Sequence, residues 1–162
     1  MSLPRIVVDN SAVLPAFFPE AENAAFDAGL VTNRSVSLVR AIRVRRVNAY
    51  VPPSFFREFL NVATRPLFER GGRTDALREE IRAQWNDLLS LPLIVVPLPE
   101  IVHHSGSLVF DEACPAADTW YVAAAIHTGA TFWMSHEHSD GLVAVSSRHI
   151  TVRLLSKETP NY

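Results

Sequence analysis

An α/β fold in a single domain is predicted by two features of this chain. Short apolar runs of strand length alternate with longer stretches of helical periodicity, and turn residues separate the two. The 162 residues are 48% hydrophobic and 20% charged, which supplies enough apolar material for one core and argues against disorder.

Each element follows from its own pattern. Residues 5–9, Arg-Ile-Val-Val-Asp, read as a buried strand, residues 11–18 as a short helix broken near Pro19, and residues 22–29 as a second helix. Residues 35–45 form the next helix, with Val36, Val39 and Val47 as its apolar stripe and Arg40, Arg43, Arg45 and Arg46 gathered near its end. A strand at 47–51 then meets Pro52-Pro53. Proline is tolerated in a first helical turn, because the amide it lacks would have no intrahelical partner there. In the helix that follows, Phe55, Phe59 and Val62 share one face, while Glu58, Asn61 and Arg65 share another by i+3 and i+4 spacing.

Gly71-Gly72-Arg73 reads as a loop, and Thr74 as the cap of a helix that runs to about Ser90 with Leu77, Ile81, Trp85 and Leu88 as its stripe. Residues 93–98 form an apolar strand bounded by prolines, 100–111 a helix weakened by Gly106, and 115–128 a helix ended by Gly129. Strands at 131–135 and, at an edge, 152–155 complete the set. Residues 1–158 form the domain and residues 159–162 a tail, with no internal repeat or linker.

Composition excludes several classes. The formal net charge is −2, so any basic surface is local. The single cysteine, Cys114, rules out an internal disulfide and a Cys-x-x-Cys zinc site, and reads as a small packed residue. The N-terminal apolar run is too short for a signal peptide and no segment approaches a membrane span, so the expectation is a cytoplasmic protein. A haloacid-dehalogenase-type phosphatase needs Asp-x-Asp after its first strand, and Asp9-Asn10-Ser11 lacks the second acid. Six scattered glycines supply no phosphate loop of the Rossmann or P-loop kind.

Acidic residues recur at the ends of apolar elements. Asp9 closes the first strand, Asp118 opens an otherwise apolar helix, Glu58 lies on the less apolar face of its helix, and Glu137 and Asp140 follow the strand at 131–135. In a parallel sheet, strand carboxyl ends and the helix starts beyond them face one crevice. Anions brought together there repel one another, which a divalent cation relieves. Carboxylate oxygens suit hard ions, so Mg²⁺ or Mn²⁺ is expected, and phosphoryl-transfer chemistry with it.

These segments resemble the PIN-domain nucleases, and more narrowly the VapC-type ribonuclease toxins of bacterial toxin–antitoxin pairs. The resemblance rests on Val7-Val8-Asp9-Asn10-Ser11, on Tyr50-Val51-Pro52 through Glu58 to Asn61, on Ala117-Asp118-Thr119-Trp120-Tyr121-Val122-Ala123, and on Trp133-Met134-Ser135-His136-Glu137 to Gly141. It covers about residues 5–155. It implies a three-layer α/β/α sandwich with a mainly parallel sheet, Mg²⁺- or Mn²⁺-dependent cleavage of RNA, a homodimer, and an antitoxin that covers the active site. By position, Asp9, Glu58 and Asp118 match the family's first three acids, and Ser11 the hydroxyl residue that supports the first. The chain departs from the pattern at the fourth acid, where Glu137 stands in place of the usual aspartate and Asp140 is the alternative.

Other residues have blander readings. His136 and His138 flank Glu137 at a spacing that fits no zinc motif, and read as solvated loop residues. His103 and His104 read as structural or exposed, and Trp120 and Tyr121 as core. The arginines at 40–46 read as a solvated helix end, with neutralisation of RNA phosphates or pairing with an acidic partner as the functional alternatives. The rival function is a PIN-like module that binds RNA or protein without cutting, and the altered position at Glu137 is what supports it.

Overall fold

The computed structural model describes residues 2–19, 28–69, 74–136 and 142–162. Within them, β1 (Arg5–Val8), α1 (Asn10–Phe17), α2 (Ala28–Arg43), β2 (Asn48–Val51), α3 (Ser54–Glu69) and α4 (Asp75–Leu89) are followed by β3 (Ile94–Val95), α5 (Leu98–Phe110), α6 (Ala116–Thr128), β4 (Thr131–Met134), α7 (Leu142–Ser146) and β5 (Val152–Leu154). The strands form one sheet in the order β3-β2-β1-β4-β5, and every pairing is parallel. Ile6 pairs with both Ala49 and Thr131, which puts β1 at the centre.

Successive residues of a strand face opposite sides of a sheet, and β4 shows what covers each side. Phe132 stacks on Tyr121 of α6, with ring centroids 6.1 Å apart and planes at 14°. Trp133, its neighbour, instead meets Tyr162 and donates its indole N–H to the Tyr162 hydroxyl at 2.6 Å. The result is the three-layer α/β/α sandwich, with α6 over β1, β2 and β4 and α5 packed on α6, while α1 and α2 pack together in the other layer. An Ala-rich stretch, Val122 to Ala125, is fully buried and lets α6 lie close to the sheet.

The sequence reading of α2 is corrected. One helix runs through residues 30–34, where a break was expected, and the buried residues include Val31, Ser35, Leu38, Val39 and Ile42; of the expected stripe Val39 and Val47 are buried, whereas Val36 is 47% exposed. A polar residue within the stripe hid its period. Ser35 is fully buried because its hydroxyl donates to the Ala12 carbonyl at 2.7 Å, which removes the cost of burying it. β3 is also shorter than expected, since Pro97 has no amide to extend a ladder and α5 begins at Leu98. The helix expected at 22–29 and the loop at 71–73 fall largely or wholly outside the described residues.

Other local expectations match the coordinates. Thr74 caps α4, accepting the Leu77 amide at 3.2 Å, and Ile81 and Leu88 are buried on its inner face. In α3 Phe55 and Phe59 are buried as expected, but Ala63 completes the stripe, while Val62, expected on that face, is half-buried and borders the cleft that Glu58 lines; Phe59 packs against Phe17 and Phe18 of the first helical segment and Trp85 of α4. Residues 159–162 lie against the body: Arg34 donates to the Thr159 hydroxyl, and Arg46 to the main-chain oxygen of Tyr162.

Two glycines separate conformational cost from packing. Gly129 ends α6 in the left-handed region at φ 62, whereas Gly106 lies inside α5, and an added Cβ meets nothing within 4 Å at either. Gly129→Ala should therefore lower the unfolding free energy by about 1 kcal/mol. Gly106→Ala should raise it by about 0.5–1 kcal/mol. Urea unfolding midpoints check both signs.

Candidate active site

Asp9 sits where β1 becomes α1. Its amide donates to the Trp133 carbonyl at 2.9 Å, extending the ladder, and its own carbonyl accepts the Ala12 amide at 3.0 Å. It occupies the N-cap position of α1 with extended backbone angles, yet its side chain makes no capping hydrogen bond. Its Oδ2 instead accepts the Ser11 hydroxyl at 2.7 Å, and that same oxygen of Ser11 accepts the Ser135 amide at 3.0 Å. Ser11 thus links the first acid to the end of β4, consistent with the supporting role expected of it.

Asp118 lies in the first turn of α6, three positions beyond the N-cap residue Pro115. Exposed amides there favour an anion. Glu58 projects from α3 on a face adjoining the buried Phe55–Phe59 stripe and is half-buried. Asp9, Glu58 and Asp118 line one cleft of about 560 Å³, together with Asn10, Ser11, Leu14, Ser54, Arg57, Asn61, Val62 and Trp120. The cleft opens at the carboxyl end of β1, as the topology dictates. Glu137, Asp140 and His138 lie outside the described residues, while His136 is half-buried with its Nδ1 2.7 Å from the Ser135 hydroxyl.

Asn10, on this wall, had no functional reading in the sequence, while Tyr121 and Trp120 were read as core in preference to base-stacking residues. Asn10 is 5% exposed, and the two protons of its Nδ2 are shared among three acceptors, the Phe55 carbonyl at 2.9 Å, the Tyr121 hydroxyl at 3.0 Å and Glu58 Oε2 at 3.3 Å. Tyr121 is buried and donates to Glu58 Oε2 at 2.5 Å. The expectation that Tyr121 is a core residue holds for its ring and misses its hydroxyl. Trp120, also read as core, is half-buried and borders the cleft. A tyrosine inside an alanine-rich buried stretch was the available signal, because a buried phenol requires a polar partner.

The donor set suits a hard cation. Every acid on the lining is an oxygen ligand, and among the described residues no thiol or imidazole accompanies them. Asn10 Oδ1 and Ser54 Oγ, on the same wall, are buried with no hydrogen-bond partner among the described residues. Among the described residues no three His, Cys, Asp or Glu groups stand close enough to hold one ion together. Carboxylate oxygens with water filling the remaining positions are the ligands that suit Mg²⁺.

The arginines belong to another part of the molecule. They precede β2, whose first residue pairs with Arg5, whereas Asp9 follows the last residue of β1. A four-residue strand separates the two ends by about 13 Å. Arg43 is engaged by both oxygens of Asp87, at 2.9 and 2.8 Å, and Arg46 by Tyr162. The only arginine on the cleft lining among the described residues is Arg57.

Burial first, then the charges of Asp9 and Glu58 and the bond to Glu58, push the Tyr121 phenol far above its ordinary value of 10.0. It therefore remains a donor. Its folded pKa exceeds its unfolded one, so the linked stability is complete below about pH 10 and is lost as pH rises beyond it, where only the unfolded chain ionises. Unfolding free energies measured by urea should fall above about pH 10, and Tyr121→Phe should make that fall shallower. Tyr162, raised chiefly by burial, accounts for part of the remaining slope.

The fold recurs in solved structures. The crystal structure of PAE2754 from Pyrobaculum aerophilum matches with a TM-score of 0.53 at 15% identity, over 92% of this chain and 89% of that chain. A chain in the 2.2 Å structure of VapBC-1 from nontypeable Haemophilus influenzae matches with a TM-score of 0.54 at 13% identity, over 94% and 98%. At such identities the likeness concerns the fold. No protein-family model and no curated protein matches the sequence.

Proposed function

We propose that this chain is a Mg²⁺- or Mn²⁺-dependent endoribonuclease of the VapC-type PIN kind, hydrolysing RNA phosphodiester bonds as the toxin of a toxin–antitoxin pair. The observation that carries the reading is the meeting of Asp9, Glu58 and Asp118, distant in sequence, on one cleft at the carboxyl end of the central strand. The fold shared with VapBC-1 and the resemblance of the four segments support it. On the same reading the protein is cytoplasmic, forms a homodimer and is held by a cognate antitoxin. No described helix is long and apolar enough to cross a membrane.

Asp9, Glu58 and Asp118, with Glu137 as the fourth acid, would hold the ion directly or through water. When bound there, the ion supplies Lewis acidity, easing water deprotonation and offsetting charge on phosphate oxygens. Ser11 fixes the Asp9 carboxylate, so that its orientation survives without the ion. Arg57 offers the cleft a cation for a neighbouring phosphate, and Trp120 a ring face for an unpaired base. No protein nucleophile is required.

Asp9→Asn and Asp118→Asn should each abolish Mn²⁺-dependent cleavage of an RNA pool while keeping the native circular dichroism spectrum. Without metal their stability should stay level or rise by up to about 1 kcal/mol, because a like charge has been removed. A variant that unfolds makes its acid structural. If the parent, freed of its partner, binds Mn²⁺ in calorimetry yet cuts no RNA, the non-cutting binding module is the better account.

The fourth acid has its own test. Glu137→Gln keeps shape and volume but removes a charge, so activity should fall and partly recover as Mn²⁺ is raised. Asp140→Asn should behave nearly as the parent. The reverse pattern transfers the role to Asp140.

A further inference from the structure

We propose that Tyr121 and Asn10 form a positioning clamp on Glu58, fixing Oε2 so that Oε1 is held toward the cleft. The inference rests on the metal-dependent nuclease reading and assigns these two residues a part in it. Asn10 begins α1, Glu58 lies in α3 and Tyr121 in α6, so three elements that adjoin different strands meet at one carboxylate oxygen. Oε1 accepts no hydrogen bond from any described residue.

The direction of every donor is fixed. Phe55 O and the Glu58 carboxylate can only accept, so the Asn10 amide must turn its nitrogen toward both, and the phenol oxygen takes a further contact from that nitrogen at 3.0 Å. The single proton of Tyr121 then goes to Glu58 at 2.5 Å. Packing holds the ring independently, through its stack on Phe132. The hydroxyl is thus aimed by the core and not by the carboxylate it serves.

The chemistry of the clamp distinguishes it from an ion pair. A glutamate on a helix has three rotatable bonds, and a small hard cation tolerates little error in the position of its oxygens. An arginine or lysine would hold the carboxylate still but would also cancel the charge that attracts a cation. A phenol and an amide hold it still while leaving it anionic. Among the described residues Glu58 has no ion pair, although Arg57 is its neighbour in sequence.

The test is Mn²⁺ binding to the full chain by calorimetry, with Tyr121→Phe, Asn10→Ser, Glu58→Gln and the Tyr121→Phe/Glu58→Gln double variant. Tyr121→Phe keeps the stacked ring, and should weaken Mn²⁺ affinity by about tenfold, as loss of an orienting partner does. Asn10→Ser, which loses the longer bond, should weaken it less. In the Glu58→Gln background Tyr121→Phe should have no further effect, because a clamp acts only through what it holds. Where RNA is cleaved, kcat/KM should fall and recover as Mn²⁺ is raised. Parent-like Mn²⁺ affinity in folded Tyr121→Phe overturns the clamp, and so does an equal loss in the Glu58→Gln background, which assigns Tyr121 to packing. A parent that binds Mn²⁺ without cutting RNA overturns the nuclease reading alone. A parent that binds no Mn²⁺ overturns both.

Discussion

Everything at the cleft depends on where the central strand stops. The amide of Asp9 makes the last bond of the β1–β4 ladder while its carbonyl makes the first bond of α1. One residue therefore belongs to both elements, and its side chain has no conformational latitude beyond its own rotamers. The acid is placed by backbone hydrogen bonding, which is indifferent to its charge. Ser11 then joins it to the amide of Ser135, so that β1, α1 and the end of β4 share one small hydrogen-bonded unit.

Much of this frame could be read from the sequence, and the reasons are local. Gly129 ends α6, Thr74 caps α4, and the Phe55–Phe59 spacing identifies the inner face of α3, each because one short segment carries both cause and effect. Asp9 and Asp118 were read for a related reason, since position at an element's end follows from the pattern of that element, and Glu58 from the face it takes on α3. Asn10 and Tyr121 were not legible. Their partners lie 45 to 111 positions away, and no periodicity encodes a hydrogen bond across that distance. The continuity of α2 was obscured by the same kind of contact. Ser35 looks like a break in an apolar stripe until the carbonyl of Ala12 is beside it.

The two ends of the sheet divide the charge. Arginines gather where the strands begin and carboxylates where β1 ends, so a formal net charge of −2 conceals a polar molecule. At the arginine end the charges are engaged by Asp87 and by the last residue, which ties α2 to α4 and the chain terminus to the sheet. Exposed pairs of this kind contribute little stability each.

That separation bears on how an anionic substrate reaches an anionic cleft. Three carboxylates set against Arg57 leave the lining negative, and an RNA phosphate approaching it meets repulsion at every distance within a Debye length, about 8 Å at physiological salt. Attraction from the arginines is screened over the length of the sheet. Under the nuclease reading, substrate affinity in the cleft must therefore depend on the divalent cation as strongly as catalysis does, and contacts with bases and sugars alone would leave the phosphates poorly placed. On the same reading, neutral donors that hold Glu58 and Asp9 in position leave both carboxylates available to that ion, and without it the cleft would repel RNA.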